Sequence, residues 1–148
     1  MEQIIIQIIS ATIGSIGFAL VFNVKRDKFR YVITGAFLGI TTYFIVDHLT
    51  HSTFLSNVIA SIVCTASAEF LARWRKAPAT LFLIIHIIPL VPGGSLFYCM
   101  RSFVLKDQEA FKSYGLSTLY SAAGIAVGIL VVTSFLSILY SYKRPEQR

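Results

Sequence analysis

The chain has 148 residues, of which 55% are hydrophobic and only 14% are charged, and its mean hydropathy is +0.72. Soluble domains usually carry about 25% charged residues, so this composition excludes an ordinary soluble domain. The net charge of +6 does not predict nucleic-acid binding. The basic residues lie in short segments between apolar stretches, as the positive-inside rule of membrane proteins predicts.

Five largely apolar stretches follow one another along the chain and predict five membrane-spanning helices. The predicted spans cover residues 3–24, 31–47, 53–72, 79–103 and 115–141. A helix needs about 20 apolar residues to cross the hydrocarbon core, so little of the chain remains outside the spans. We therefore expect an all-α, multi-pass transmembrane helix bundle, with residues 1–148 forming one integral membrane domain. The start of the chain lacks the basic residues of a cleaved signal peptide, so the first span is expected to be retained.

The fourth span is predicted to be broken at its centre by Pro89-Leu90-Val91-Pro92-Gly93-Gly94. Proline removes a backbone donor and clashes with the preceding turn, and many transporters build binding sites from broken helices. A second half-helix would begin at Gly93-Gly94-Ser95, and its free N–H groups would face an anion such as a carboxylate. The candidate substrate-binding residues are therefore Pro89, Pro92, Gly93, Gly94 and Ser95. A structural kink is the alternative interpretation.

Four further polar residues are candidates for a functional role. Glu69 lies inside an apolar span, where an acid is costly and is often functional, but Arg73 follows four residues later in the order that favours a helical ion pair. The two are candidates for coupling, or alternatively an anchoring pair at a helix end. His86 is a third coupling candidate, since its reference pKa lies near neutrality, or alternatively a neutral hydrogen-bonding side chain. Asn23 ends the first span and is expected to cap it or to contact substrate.

Other features of the sequence predict packing and an absence of metal chemistry. Gly35 and Gly39, and likewise Gly124 and Gly128, have the spacing that lets membrane helices approach closely. Residues 47–51 include Asp47, His48 and His51, but no fourth ligand is evident, so these are expected to be interfacial residues rather than a metal site. We expect no metal and no cofactor.

The distribution of basic residues predicts the orientation of the chain. Of the 13 Lys and Arg residues, the successive segments between spans hold four, none, three and three, and the C-terminal tail holds three. If all five spans cross, ten lie on one side and three on the other, which places the N-terminus outside and the C-terminus in the cytoplasm. If the fourth segment re-enters instead, the split is again ten to three, so the charge distribution does not decide between the two. A full crossing is preferred, because apolar sequence continues on both sides of the break.

Three segments resemble the threonine/serine exporter family. They are Phe22-Asn23, Glu69-x-x-Ala72-Arg73-x-x-Lys76-Ala77-Pro78 and Ile88-Pro89-Leu90-Val91-Pro92-Gly93. The chain is similar to the shorter integral-membrane subunit of the split, two-chain form, which is associated with succinate export. The resemblance implies a bacterial inner-membrane exporter in the lipid bilayer, with a second, larger membrane subunit as partner.

Together these features predict a subunit of a membrane exporter for a small anionic or zwitterionic metabolite, either a threonine- or serine-like amino acid or a succinate-like dicarboxylate. The alternative is a non-transporting structural or assembly subunit, and a homo-oligomer is also open. We do not expect an enzyme, because an active site needs a set of reactive side chains, and only Glu69 and His86 could contribute to one here.

Overall fold

The computed structural model describes residues 2–143, and all of its regular elements are helices. They are α1 (Glu2–Val21), α2 (Arg26–Thr50), α3 (Thr53–Arg75), α4 (Ala79–Ile87), α5 (Gly93–Val104) and α6 (Gln108–Lys143), with a short 3-10 turn at Ile88–Leu90. Four of these, α1, α2, α3 and α6, are each long and apolar enough to cross a membrane, and the bent pair α4–α5 is long and apolar enough to form a fifth, broken span or a re-entrant loop. The prediction of an all-α membrane bundle with a broken fourth span is confirmed.

Two helices extend well beyond the apolar spans predicted from the sequence. Helix α2 begins at Arg26 rather than at residue 31, and α6 begins at Gln108 rather than at residue 115. Both extensions contain Lys or Arg, and α6 also has a glutamate, residues with good helix propensity. The charged segments were predicted as loops, but they continue the helices. The tail residues Arg144, Glu146 and Arg148, on which the cytoplasmic end was predicted, lie outside the described residues.

Helices α3 and α6 pack closely because α6 presents glycine to α3. A Cβ atom at Gly124 would lie 2.7 Å from the carbonyl oxygen of Phe54 and 2.9 Å from Cβ of Asn57. A Cβ atom at Gly128 would collide with Oγ of Ser61. Small residues of this kind let helices associate in a membrane, where lipid gives no hydrophobic driving force between them.

The same contacts show that α3 and α6 run in the same direction. Moving from Gly124 to Gly128 along α6 moves the contact from Phe54 and Asn57 to Ser61 along α3. Helix α4 starts where α3 ends, so the α4–α5 pair must carry the chain back to the end of the bundle where α3 begins. This direction favours a full crossing by the broken segment over a re-entrant loop.

Two buried clusters hold the bundle together, and both consist largely of small or branched side chains. One cluster joins α1, α2, α3 and α4 and includes Ala19, Val32, Ala68, Phe82 and Ile85. The other joins α2, α3 and α6 at the broken segment and includes Ile40, Ala60, Cys64, Leu90 and Ile125. The second cluster includes Leu90 of the 3-10 turn, and it therefore packs the broken segment against α2, α3 and α6.

Candidate functional site

The backbone of the fourth span changes direction between α4 and α5. Helix α4 ends at Ile87, and the chain then forms the 3-10 turn Ile88–Leu90, in which the N–H of Val91 donates to the carbonyl oxygen of Ile88 at 3.2 Å. Pro92 occupies the N-cap of α5, and the two helices differ in direction by 53°. The two prolines thus end one helix and begin another, as the sequence predicts.

Polar backbone groups at the break are only partly satisfied by the protein. The thiol of Cys64 on α3 donates to the carbonyl oxygen of His86 at 3.2 Å. In the first turn of α5 the N–H of Leu96 donates to the carbonyl oxygen of Pro92 at 3.0 Å, whereas within the described chain the N–H groups of Gly94 and Ser95 have no acceptor. Free N–H groups and the positive end of the helix dipole make this turn suited to bind an anion.

A cavity of about 430 Å³ opens at this turn, and side chains from most of the bundle line it. Its lining residues are Gln7, Ala11, Ile40, Tyr43, Phe44, Thr53, Asn57, Pro89, Leu90, Val91, Pro92, Gly93, Gly94, Ser95 and Ser117. The cavity therefore brings together all five predicted residues of the break. It combines polar side chains with apolar walls, and none of its described lining residues is charged.

Asn57 is a cavity residue that the sequence reasoning missed. Its side chain is only 1% exposed, and its Nδ2 donates to the carbonyl oxygen of Thr53 at 2.8 Å. Its Oδ1 is buried and has no hydrogen-bond partner in the described part of the chain. An amide inside the uncharged stretch 52–68 was the available signal, because polar side chains within a membrane span are costly and often functional.

Glu69 and Arg73 lie away from the cavity. Their side chains form an ion pair of 2.8 Å between Oε2 and an Arg73 terminal nitrogen, and both are partly exposed. Glu69 follows Asn57 by three and a third turns of α3, which corresponds to about 18 Å along the helix axis. The pair thus sits near the opposite end of α3 from the residues that line the cavity.

His86 lies beneath the break but does not line the cavity. Its side chain is fully buried, with Nδ1 at 3.0 Å from Oγ of Ser67 and at 3.4 Å from the carbonyl oxygen of Cys64. Its Nε2 has no partner among the described residues. The ring packs so closely against α2 that a Cβ atom at Gly35 would collide with it, so the histidine fills space between α2, α3 and α4.

Asn23 caps α1 through its backbone. It has a positive φ of 50°, and its N–H donates to the carbonyl oxygen of Leu20 at 3.0 Å. Asparagine tolerates this left-handed conformation better than most residues. The side chain is exposed and is not among the residues that line the cavity.

Comparison with known proteins relates the whole bundle to one family. Residues 7–135 match the family model described as threonine/serine exporter, ThrE. The chain is also 29% identical over 104 residues to an uncharacterized protein of Haemophilus influenzae, which covers 70% of this chain but only 35% of that relative. No solved structure matches the chain. The family match covers all of the chain except its two ends. The protein therefore belongs to the threonine/serine exporter family.

Proposed function

We propose that this protein is one subunit of an exporter that moves a small carboxylate-bearing metabolite out of the cell through a multi-pass membrane assembly. The metabolite is an amino acid such as threonine or serine, or a dicarboxylate such as succinate. The observation that carries this proposal is the free first turn of α5, where the N–H groups of Gly94 and Ser95 meet an uncharged cavity. A carboxylate bound there would take up hydrogen bonds that the described chain leaves unmade.

The proposed site belongs to one half of a larger transporter. The chain spans about a third of the length of the Haemophilus influenzae relative, so that relative has a large additional part. Secondary transporters commonly place their substrate site between two structural repeats near the middle of the membrane. We therefore propose a larger membrane subunit of the same family as partner, an inner-membrane location and an external N-terminus, with alternating access driven by an ion gradient.

The predicted coupling residues take different parts in this proposal. Glu69 and Arg73 are assigned as an anchoring pair at the cytoplasmic end of α3, since their ion pair is partly exposed and distant from the cavity. His86 is assigned to packing beneath the break. Transport rather than catalysis is proposed, because the described cavity lining has no histidine, cysteine or carboxylate that could act as a nucleophile or general base.

Export of labelled threonine and succinate from membrane vesicles tests this function, with the chain alone and together with its larger subunit. The informative variant is Gly94→Leu. The space around a Cβ atom at Gly94 is open to at least 4 Å, and Gly94 does not have the positive φ that would require glycine. The leucine side chain should therefore fit and occupy the cavity. Gly17→Leu on α1 is the matched control, because that glycine also has open space but does not line the cavity.

We expect the wild-type pair and Gly17→Leu to export one of the two substrates, and Gly94→Leu to assemble normally but lose that export at least about tenfold. Normal export by an assembled Gly94→Leu pair would remove the cavity from the pathway and favour a structural subunit instead.

A further inference from the structure

The last turn of α3 holds a cation against two aromatic rings. The guanidinium carbon of Arg75 lies 4.0 Å from the ring centroid of Tyr31 on α2 and 4.8 Å from that of Trp74. The two rings meet edge to face, with their centroids 5.5 Å apart. Contact with ring faces is favourable for a guanidinium group and restricts its orientation. Arg75 is therefore a positioned cation rather than a freely rotating surface side chain.

The charge of Arg75 has no carboxylate partner in the described part of the chain. The neighbouring Arg73 forms an ion pair with Glu69, but Arg75 has neither an ion pair nor a hydrogen bond there. Its Nε is buried, whereas its two terminal nitrogens are not among the buried atoms. The rings thus cover the inner edge of the guanidinium group and leave its outer edge accessible. That edge carries the donors that bind two oxygens of a carboxylate or phosphate at once.

An apolar groove of about 510 Å³ adjoins this cation and is lined by Phe70, Arg73 and Trp74. Both aromatic side chains of the groove face away from the bundle. Helix α3 has 23 residues and is about 35 Å long, so its last turn reaches the headgroups of a bilayer with a hydrocarbon core of about 30 Å. Phe70 precedes Trp74 by about one turn and lies deeper, among the acyl chains. The groove therefore places an apolar wall next to the cation on its membrane side.

We propose that Arg75, Tyr31 and the groove of Phe70 and Trp74 form a binding site for one anionic phospholipid. The terminal nitrogens of Arg75 donate to two oxygens of the headgroup phosphate, and an acyl chain lies against the two groove rings. A zwitterionic lipid binds less well, because its own ammonium group offsets the charge of its phosphate. Basic pockets between membrane helices bind anionic headgroups in this way. The site goes beyond the proposed export function, since none of its residues lines the cavity at the break.

Tryptophan fluorescence reports on this site alone, because Trp74 is the single tryptophan of the chain. The full chain is reconstituted in vesicles of phosphatidylcholine and the anionic lipid phosphatidylglycerol, with bromine atoms on the acyl chains of one lipid at a time. Brominated chains quench a tryptophan that they touch, so the two quenching curves give the relative affinity of the two lipids at Trp74. We expect phosphatidylglycerol to bind about fivefold more strongly, which is the contribution of one basic residue near an anionic lipid.

Two arginine variants separate a specific site from general surface charge. Arg75→Gln removes the positioned cation and should lower the preference for phosphatidylglycerol below about twofold. Arg30→Gln is the matched control, because Arg30 is also exposed and directly precedes Tyr31 but is not stacked on that ring. This control should keep the preference of the parent chain. Circular dichroism checks that both variants have the helix content of the parent, and inorganic phosphate added at millimolar concentration should change no preference.

Several outcomes would overturn the assignment. Equal affinity of the two lipids in the parent chain would do so, and so would an equal loss of preference in Arg75→Gln and Arg30→Gln, which would indicate general surface charge. Loss of the preference in the presence of inorganic phosphate would assign the site to a free anion instead. If Arg75→Gln does not fold, Arg75→Lys is measured in its place. Lysine keeps the charge but lacks the two-nitrogen fork, so the preference should fall to about half, and full retention would refute the bidentate contact.

Discussion

The contact between Gly35 and His86 gives a sharp test of why the fourth span packs as it does. The three heavy atoms nearest to a Cβ atom at Gly35 all belong to the His86 imidazole, and they are too close to allow even a methyl group. The ring is fully buried, so it has no solvent into which it could move. Gly35→Ala must therefore separate α2 from α4 or displace the ring.

Overpacking of a buried contact typically costs about 1–3 kcal/mol. For Gly35→Ala we take about 2 kcal/mol, which corresponds to a decrease in Tm of about 4–8 °C for a protein of this size. His86→Ala is itself expected to destabilise the chain because it leaves a cavity. In that background, however, the colliding ring is absent, so adding Gly35→Ala should lower the Tm no further.

Thermal unfolding of the four purified proteins in detergent, followed by circular dichroism, measures this double-mutant cycle. Gly14→Ala is the control, since the space around a Cβ atom there is open to at least 4 Å, and its Tm should match that of the parent. If Gly35→Ala lowers the Tm equally with and without His86, the two residues are not coupled and the packing role given to His86 is wrong.

Three other predictions concern the bundle. Gly128→Ala should lower the Tm, because the new methyl group collides with α3. Gly17→Ala should leave the Tm unchanged, because the space around that glycine is open. Equal Tm values of the two variants in thermal unfolding would contradict this prediction. Single cysteines introduced as Gln108→Cys or Lys76→Cys into a cysteine-free chain should react with impermeant thiol reagents from opposite sides of the membrane, because α6 runs parallel to α3. Labelling of both from the same side would indicate that the α4–α5 segment re-enters. Glu69→Gln should cost only about 0.3–0.5 kcal/mol and leave vesicle export intact, so loss of export in an assembled complex would restore a coupling role.

The sequence was most informative where a physical constraint is local. Pro89 and Pro92 cannot continue a helix, wherever the rest of the chain lies, so the break and the start of α5 at Gly93 were predictable. The spacing of Gly124 and Gly128 likewise predicted a close helix contact, although it could not name α3 as the neighbour. Charge was a poorer guide to helix ends, because the residues around Arg26 belong to a helix that continues beyond the apolar span.

The part of the site that sequence reasoning missed depends on tertiary placement. Asn57 and Gly94 are separated by most of two helices along the chain, and only the packed bundle shows that they line one cavity. The same holds for His86, which the sequence made a candidate for coupling because its reference pKa lies near neutrality. Its environment is instead determined by Gly35 on another helix, a relation that no local pattern contains.

The glycines of the break have a consequence for how this transporter could diverge. Neither Gly93 nor Gly94 has a positive φ, so the backbone does not require glycine at either position. Both face open space at the cavity, so a side chain placed at either position would occupy cavity volume without a change in the helix backbone. Under the proposed function, substitutions at these two adjacent positions would change the size of the molecule that the cavity accepts while the bundle stays intact.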